Sequence, residues 1–320
     1  MLFRLIYTLR PMDLGHPGYL DIIVARHMGP VNMQIRKLDN AEIIGGMKAG
    51  DLGCIAILEL DLSIKEEVMF LSMDSEVISG IRKIINDVEN ELILCIKSVI
   101  SGVTWVRGLT ATHDPVRFGG LVEWSLDGDS WKLIPTQLRF EVVKDFPVSK
   151  VLEREQLDAI ITLVESGTDQ PLGHALLSEA WSQRQRSRRS AMVMGIAAAE
   201  TGWKEFVVKF LPDTAWLLGN MQSPPVVRML KELMPLIPTP QRYAGKTPRV
   251  PNRVIELIEK GVNLRNDIVH GKNVKLKSLT IDEVLGAVRD LLYLLDGFAG
   301  RTWAARNLSS ETIRALEMEA

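Results

Sequence analysis

Leu264-Arg265-Asn266-Asp267-Ile268-Val269-His270-Gly271 closes an amphipathic run that begins near Asn252. Val254, Ile255, Leu257 and Ile258 recur at helical spacing ahead of it. Asn252, just after Thr247-Pro248-Arg249-Val250-Pro251, is placed to cap the start of this helix. Gly271 is placed to end it, because glycine takes a left-handed cap without steric cost. The stretch therefore reads as the end of a helix in a helical domain.

Helices are expected on both sides. Downstream, the basic loop Lys272 to Leu279 leads to Thr280-Ile281-Asp282-Glu283, which has the form of a capping box. A strong helix follows through Leu285, Val288, Leu291, Leu292 and Leu295, and the polar tail from Arg301 is expected to pack loosely. Upstream, Lys150 to Glu165 is helical. A single long helix is expected from about Leu172 to Phe210, kinked near Gly195 or Gly202. Its centre holds Ala191, Gly195, Ala197, Ala198 and Ala199, small residues that let helix backbones approach closely.

The first half has a different texture. Tyr19 to Ala25, Cys54 to Leu62 and Glu67 to Leu71 are short apolar runs that read as strands. Ile81, Ile84, Ile85, Val88, Leu92, Cys95 and Val99 mark a helix over Ile81 to Ile100. Val116 to Ser125 and Ser130 to Val143 read as strands joined at Asp127-Gly128, a hairpin signal. The fold class is therefore α+β: a mixed domain over 1–147, closed by Phe146-Pro147, then an all-α domain over 148–320.

Composition narrows the setting. Hydrophobic residues make up 46% and charged residues 24%, enough to build a core without disulfide or metal staples. Cys54 and Cys95 sit in apolar stretches and read as buried thiols, which fits a reducing cytoplasm. No apolar run approaches the ~18 residues of a membrane span, so no membrane partner is expected. Arg4 and Arg10 interrupt the apolar start, which does not read as a signal peptide. Residues 1–149 carry 15 Lys and Arg against 20 Asp and Glu, while 150–320 carry 23 against 20. Within Arg242 to Lys277 the count is 9 against 3, a local surplus suited to a polyanion.

Residue chemistry points the same way. His270 carries the side chain that titrates nearest neutral pH in its ordinary state. Arg265 offers a planar fork matched to phosphate oxygens. Asn266, four residues before His270, shares its helix face and can orient the imidazole. Plainer roles exist for each: Arg265 bridging to Glu259 or Asp267, His270 capping the helix, Asn266 as a surface amide. Arg265 and His270 lie five positions apart, about 140° around an ideal helix. A straight helix therefore does not point both into one site; either its end distorts or a second subunit completes the site. Arg184, Arg186, Arg188 and Arg189 form a run for which an RNA-backbone groove or a solvated face are both open readings. His16, His27, His113 and His174 lack metal-ligand spacing, and no phosphate loop is present.

Arg265-Asn266-x-x-x-His270, with Leu264 before it and Gly271 after it, resembles the motif of the HEPN superfamily, particularly its Apea-like and abortive-infection branches. The resemblance runs from about Leu152 to Ala299, with the motif in the penultimate long helix. It includes an earlier helix reading Arg189-Ser190-Ala191 through Ala199-Glu200. It implies a helical bundle, a homodimer whose two motifs meet across a two-fold axis, and an endoribonuclease needing no metal or other cofactor. Defence toxins and antiviral abortive-infection effectors acting on tRNA or mRNA are of this kind. Arg265, Asn266 and His270 would be catalytic. Glu200 would pair with Arg265 or line the cleft. Arg184, Arg186, Arg188, Arg189 and Lys272 would offer RNA contacts. Lys272 stands where some such toxins carry a modifiable tyrosine. Other members bind RNA or protein without cutting, so a non-catalytic module is the alternative. On the endoribonuclease reading the acidic first domain would receive a protein or small-ligand trigger.

Overall fold

A computed structural model describes residues 1–9, 20–39, 42, 52–62, 75–108, 116–134, 154–240 and 248–319. The chain divides into two compact units, Met1–Thr104 with His113–Asp169, and Trp105–Thr112 with Gln170–Ala320. The architecture is α+β: an antiparallel sheet precedes a mostly helical region. Among the described residues no helix is long and apolar enough to cross a membrane.

The first unit is built on β1 (Leu2–Leu9), β2 (Leu20–Arg26), β3 (Gly29–Lys37), β4 (Leu52–Glu59), β5 (Val116–Ser125) and β6 (Lys132–Leu133). Their order is β2-β3-β4-β1-β5-β6 and every pairing is antiparallel. Alternation explains the register. Val31, Met33 and Ile35 of β3 are buried and lie opposite Leu58, Ala56 and Cys54 of β4. Helix α1 (Ser75–Val106) buries Ile85, Val88, Leu92, Cys95 and Val99 of the stripe its spacing predicts, and Ile96 beside them. Arg26 on β2 donates to Glu91 on α1 at 2.8 Å. Cys54 and Cys95 are both buried free thiols, pushed by desolvation up to about 12 and about 11.

The opposite sheet face carries a buried ion network. Arg4 sits opposite Glu123 in the register and reaches it at 2.7 Å. Arg36 holds Glu42 at 2.5 Å, and Trp131 covers the Arg4 guanidinium at 4.1 Å. A buried charge persists only with such partners. The Asp127-Gly128 turn forms as expected: Gly128 has φ +83°, and Asp127 Oδ1 accepts from Ser125 Oγ and the Asp129 and Ser130 amides. These donors hold the Asp127 carboxyl at about 2. Of the strand expected over Ser130 to Val143, Lys132–Leu133 is formed and 135–143 lie outside the described residues, as does Glu67 to Leu71. Helix α2 (Arg154–Glu165) belongs to this first unit rather than to the helical one, because Ile160 and Val164 pack at Gly102 of α1.

The second unit contains α3 (Leu172–Gln183), α4 (Arg188–Phe210), the short α5 (Ala215–Asn220) and α6 (Val226–Glu232), then α7 (Asn252–Val269), α8 (Ser278–Phe298) and α9 (Ser310–Glu319). The long helix expected over Leu172 to Phe210 is two helices, broken at 184–187 and not at Gly195 or Gly202. Arg184 Nη1 folds back on the Trp181 carbonyl at 3.0 Å, and Ser187 caps α4 by accepting from the Ser190 amide. The glycines serve close packing instead. A Cβ at Gly173 would stand 2.8 Å from Gly202 Cα, and Gly195 leaves its space to Leu285 of α8.

Three further expectations are corrected. Pro251, not Asn252, occupies the cap position of α7. The capping box at Thr280 does not form, because α8 starts earlier, at Ser278, and Glu283 pairs with Lys260 at 3.2 Å. The tail from Arg301 packs: Trp303 and Ala304 are buried, and Thr312 Oγ1 donates to the buried Asp290 at 2.6 Å.

Gly173→Ala must push its methyl against backbone, so we expect a loss of about 1–3 kcal/mol, more than the ~1 kcal/mol gained in helix propensity. Gly286 of α8 has open space where a Cβ would go, so Gly286→Ala should be neutral or stabilise by about 0.5–1 kcal/mol. Urea denaturation of the full chain separates the two.

Candidate functional site

Close packing sets the site. Helix α7 buries Val254, Ile255, Ile258 and Gly261. A Cβ at Gly261 would stand 2.6 Å from side-chain methyls of Ile196 of α4 and Val284 of α8, so any larger residue must displace them for α7 to approach this closely. One turn later on both helices, Arg265 meets Glu200. Arg265 Nη2 lies 2.5 Å from Glu200 Oε1 and 3.2 Å from Ser223 Oγ, while Nη1 donates to Asn266 Oδ1 at 3.0 Å. Both ionic side chains are largely enclosed, 18% and 10% exposed. Glu259 and Asp267, the simpler partners considered for Arg265, pair instead with Lys231 and Lys272.

Burial pushes the Glu200 carboxyl above its ordinary value, and the charges of Arg265 and Lys204 and the Ser223 hydroxyl offset only part of that. Lys204 itself donates to the Met221 carbonyl, which anchors the segment carrying Ser223.

Beside this cluster lies an open groove of about 520 Å³. Its lining includes the polar Glu200, Ser223 and Asn266, the apolar Pro225, Val227 and Val262, and the paired charges Arg228–Glu232 and Lys231–Glu259. Ser223 and this groove were not legible as a site in the sequence; the one local signal was the helix-breaking Pro224-Pro225.

His270 stands apart. It occupies the C-cap of α7 with φ −82° and ψ 12°, its amide donates to the Asn266 carbonyl at 2.9 Å, and its side chain is exposed outside the groove lining. Gly271, at φ +78°, ends the helix as expected. The structure thus brings Arg265, Asn266 and Glu200 together and leaves His270 at the helix end.

The arginine run does not share one helix face, because the α3–α4 break runs through it. Arg184 stacks on Trp181 and pairs with Asp282 at 3.4 Å, a structural role. Arg186, Arg188 and Arg189 are exposed. Arg188 reaches the Leu276 carbonyl at 3.1 Å and Arg189 reaches Asn273 at 3.0 Å. These contacts join the start of α4 to the loop after His270, so Arg188 and Arg189 share a basic end of the unit with Lys272, Lys275 and Lys277.

His174, unassigned by spacing, is buried against Asp296 at 2.9 Å. Trp105 Nε1 and Arg301 Nη1 also donate to that carboxylate, at 2.8 and 2.9 Å. Three donors compensate one buried charge, which makes this a structural centre of the unit.

A double-mutant cycle should return a coupling of about 1–3 kcal/mol between Arg265 and Glu200. Carbon-detected titration should place the Glu200 carboxyl above 4.5 and higher still in Arg265→Ala. With its folded value raised, the Glu200 contribution to stability is full below the ordinary value and is lost as pH rises through the folded one; Glu200→Gln should flatten that part of the stability profile. Compared with models of known protein families, with curated proteins and with solved structures, the chain matches none.

Proposed function

We propose that the helical unit acts on RNA as a HEPN-type endoribonuclease working without a metal, in the cytoplasm, as a defence or stress effector on tRNA or mRNA. The observation that carries this reading is the placement of Arg265. It is held in a fixed orientation by Glu200, Ser223 and Asn266 beside an open groove, and the same helix ends in exposed His270 at a basic rim. In such a reaction the 2′-hydroxyl attacks the adjacent phosphorus and the P–O5′ bond breaks. The products are a 2′,3′-cyclic phosphate and a 5′-hydroxyl. One proton must leave the 2′-oxygen and one must reach the 5′-oxygen. His270 serves one transfer, solvent water serves the other, and Arg265 steadies the charge on the phosphoryl oxygens.

One protomer presents its Arg265 and His270 to different surroundings, so the reading includes a homodimer in which the second copy completes the cleft. On this reading the sheet-bearing unit receives a protein or small-ligand trigger. A second reading, RNA binding without cleavage, is favoured by one fact: the Arg265 guanidinium is already engaged by a carboxylate.

In the presence of chelator, His270→Ala should cost about 10²-fold or more in cleavage rate while RNA affinity stays within about threefold, because phosphate contacts dominate affinity. Cleavage that survives the change would sink the catalytic assignment. Binding without cleavage in the unaltered chain would establish the second reading.

A further inference from the structure

We propose that the groove beside Arg265 is a nucleobase subsite, in which one base of a single-stranded RNA lies on Pro225, Val227 and Val262 while its backbone runs past Arg265. This rests on the RNA reading above.

Four features support it. First, the volume of about 520 Å³ lies within the ~300–1,000 Å³ of small-molecule sites and admits a nucleotide. Second, its apolar part is accessible: Pro225 is exposed and Val227 and Val262 are half-buried, while Val226 next to them is buried and holds α6 in the core. A planar base gains contact on such a surface whatever its identity.

Third, the polar lining residues offer a donor and an acceptor. Asn266 gives its Oδ1 to Arg265, which orients the amide and leaves the Nδ2 hydrogens to donate. Arg265 and Ser223 both engage Oε1 of Glu200, which leaves Oε2 to accept. Each of the four bases carries a neighbouring acceptor and donor on its pairing edge, so these groups fit an unpaired base without selecting among them. Fourth, the cations along the groove, Arg228 and Lys231, are exposed, so they can move from their carboxylate partners to phosphates on either side of the base. A peptide would find no row of unpaired strand groups here, since the walls are helices and the short turn carrying Ser223 and Pro225.

The test uses the full-length His270→Ala chain, to prevent cleavage, and two labelled 12-mers read by fluorescence anisotropy at one salt concentration. One is oligouridine; the other has the same ribose-phosphate backbone, 2′-hydroxyls included, with hydrogen in place of every base. The subsite predicts about tenfold tighter binding of oligouridine. Adding Val227→Trp, which fills the groove, or Pro225→Gly, which removes exposed apolar surface and keeps the backbone bond to Met229, should bring oligouridine down to the affinity of the base-free oligomer. Equal binding of the two oligomers by the unfilled groove would overturn the subsite and leave the RNA reading standing. A base preference that survives both substitutions would also overturn it. If neither oligomer binds, the RNA reading fails and the subsite fails with it.

Discussion

The Arg265–Glu200 ion pair is the constraint on which the site depends. A carboxylate inside a helix of small residues is costly unless a cation reaches it. The cation reaches it because Gly261, one turn earlier, lets α7 settle against Ile196, one turn before Glu200. The alanine- and glycine-rich centre of α4 and the motif of α7 are therefore one device: the first brings two helices together and the second uses their proximity. The same pair fixes the plane of the guanidinium, and Asn266 and Ser223 complete its surroundings. On the proposed RNA reading, an arginine so held would lose less side-chain freedom to a phosphate than a free one would. The cost is competition, since an incoming phosphate must share the cation with Glu200.

The elevated Glu200 carboxyl bears on that competition. Desolvation favours its neutral form, and Arg265, Lys204 and Ser223 counter this in part. Further desolvation by a substrate covering the groove would push in the same direction. A substrate phosphate that took Arg265 from Glu200 would remove its largest compensating charge. Binding of an anion and protonation of Glu200 are thus thermodynamically linked at this site.

Much of the fold was legible because it rests on periodicity. The helix near Ile81 announced itself by spacing and the strands near Leu20, Cys54 and Val116 by apolar runs, while β1 and β3 were not read; Gly271 and Gly128 marked a helix stop and a turn, where both adopt positive φ. What was missed depended on tertiary competition. Nothing local places the helix break at Arg184 to Ser187 rather than at Gly195, because the glycines are used for contact with α3 and α8 and the arginine for a carbonyl and an indole ring. The capping box at Thr280 lost to an earlier start of α8. The tail read as loose because its partner, buried Asp290, lies in another helix. In the site, Arg265, Asn266 and Glu200 were legible from one motif and one helix. Ser223 and the groove were not, since they come together only through the chain between α4 and α7. His174 was read only as lacking metal-ligand spacing because its partners, Trp105, Asp296 and Tyr293, are distant in sequence.

The separation of His270 from the groove in one protomer makes the second copy the central claim of the functional account. The most direct measurement mixes two separately inactive proteins, Arg265→Ala and His270→Ala, and follows RNA cleavage in chelator. If Arg265 of one copy works with His270 of another, the mixture regains cleavage that neither protein shows alone. A mixture as inactive as its components, formed from proteins that do exchange subunits, would contradict the composite site.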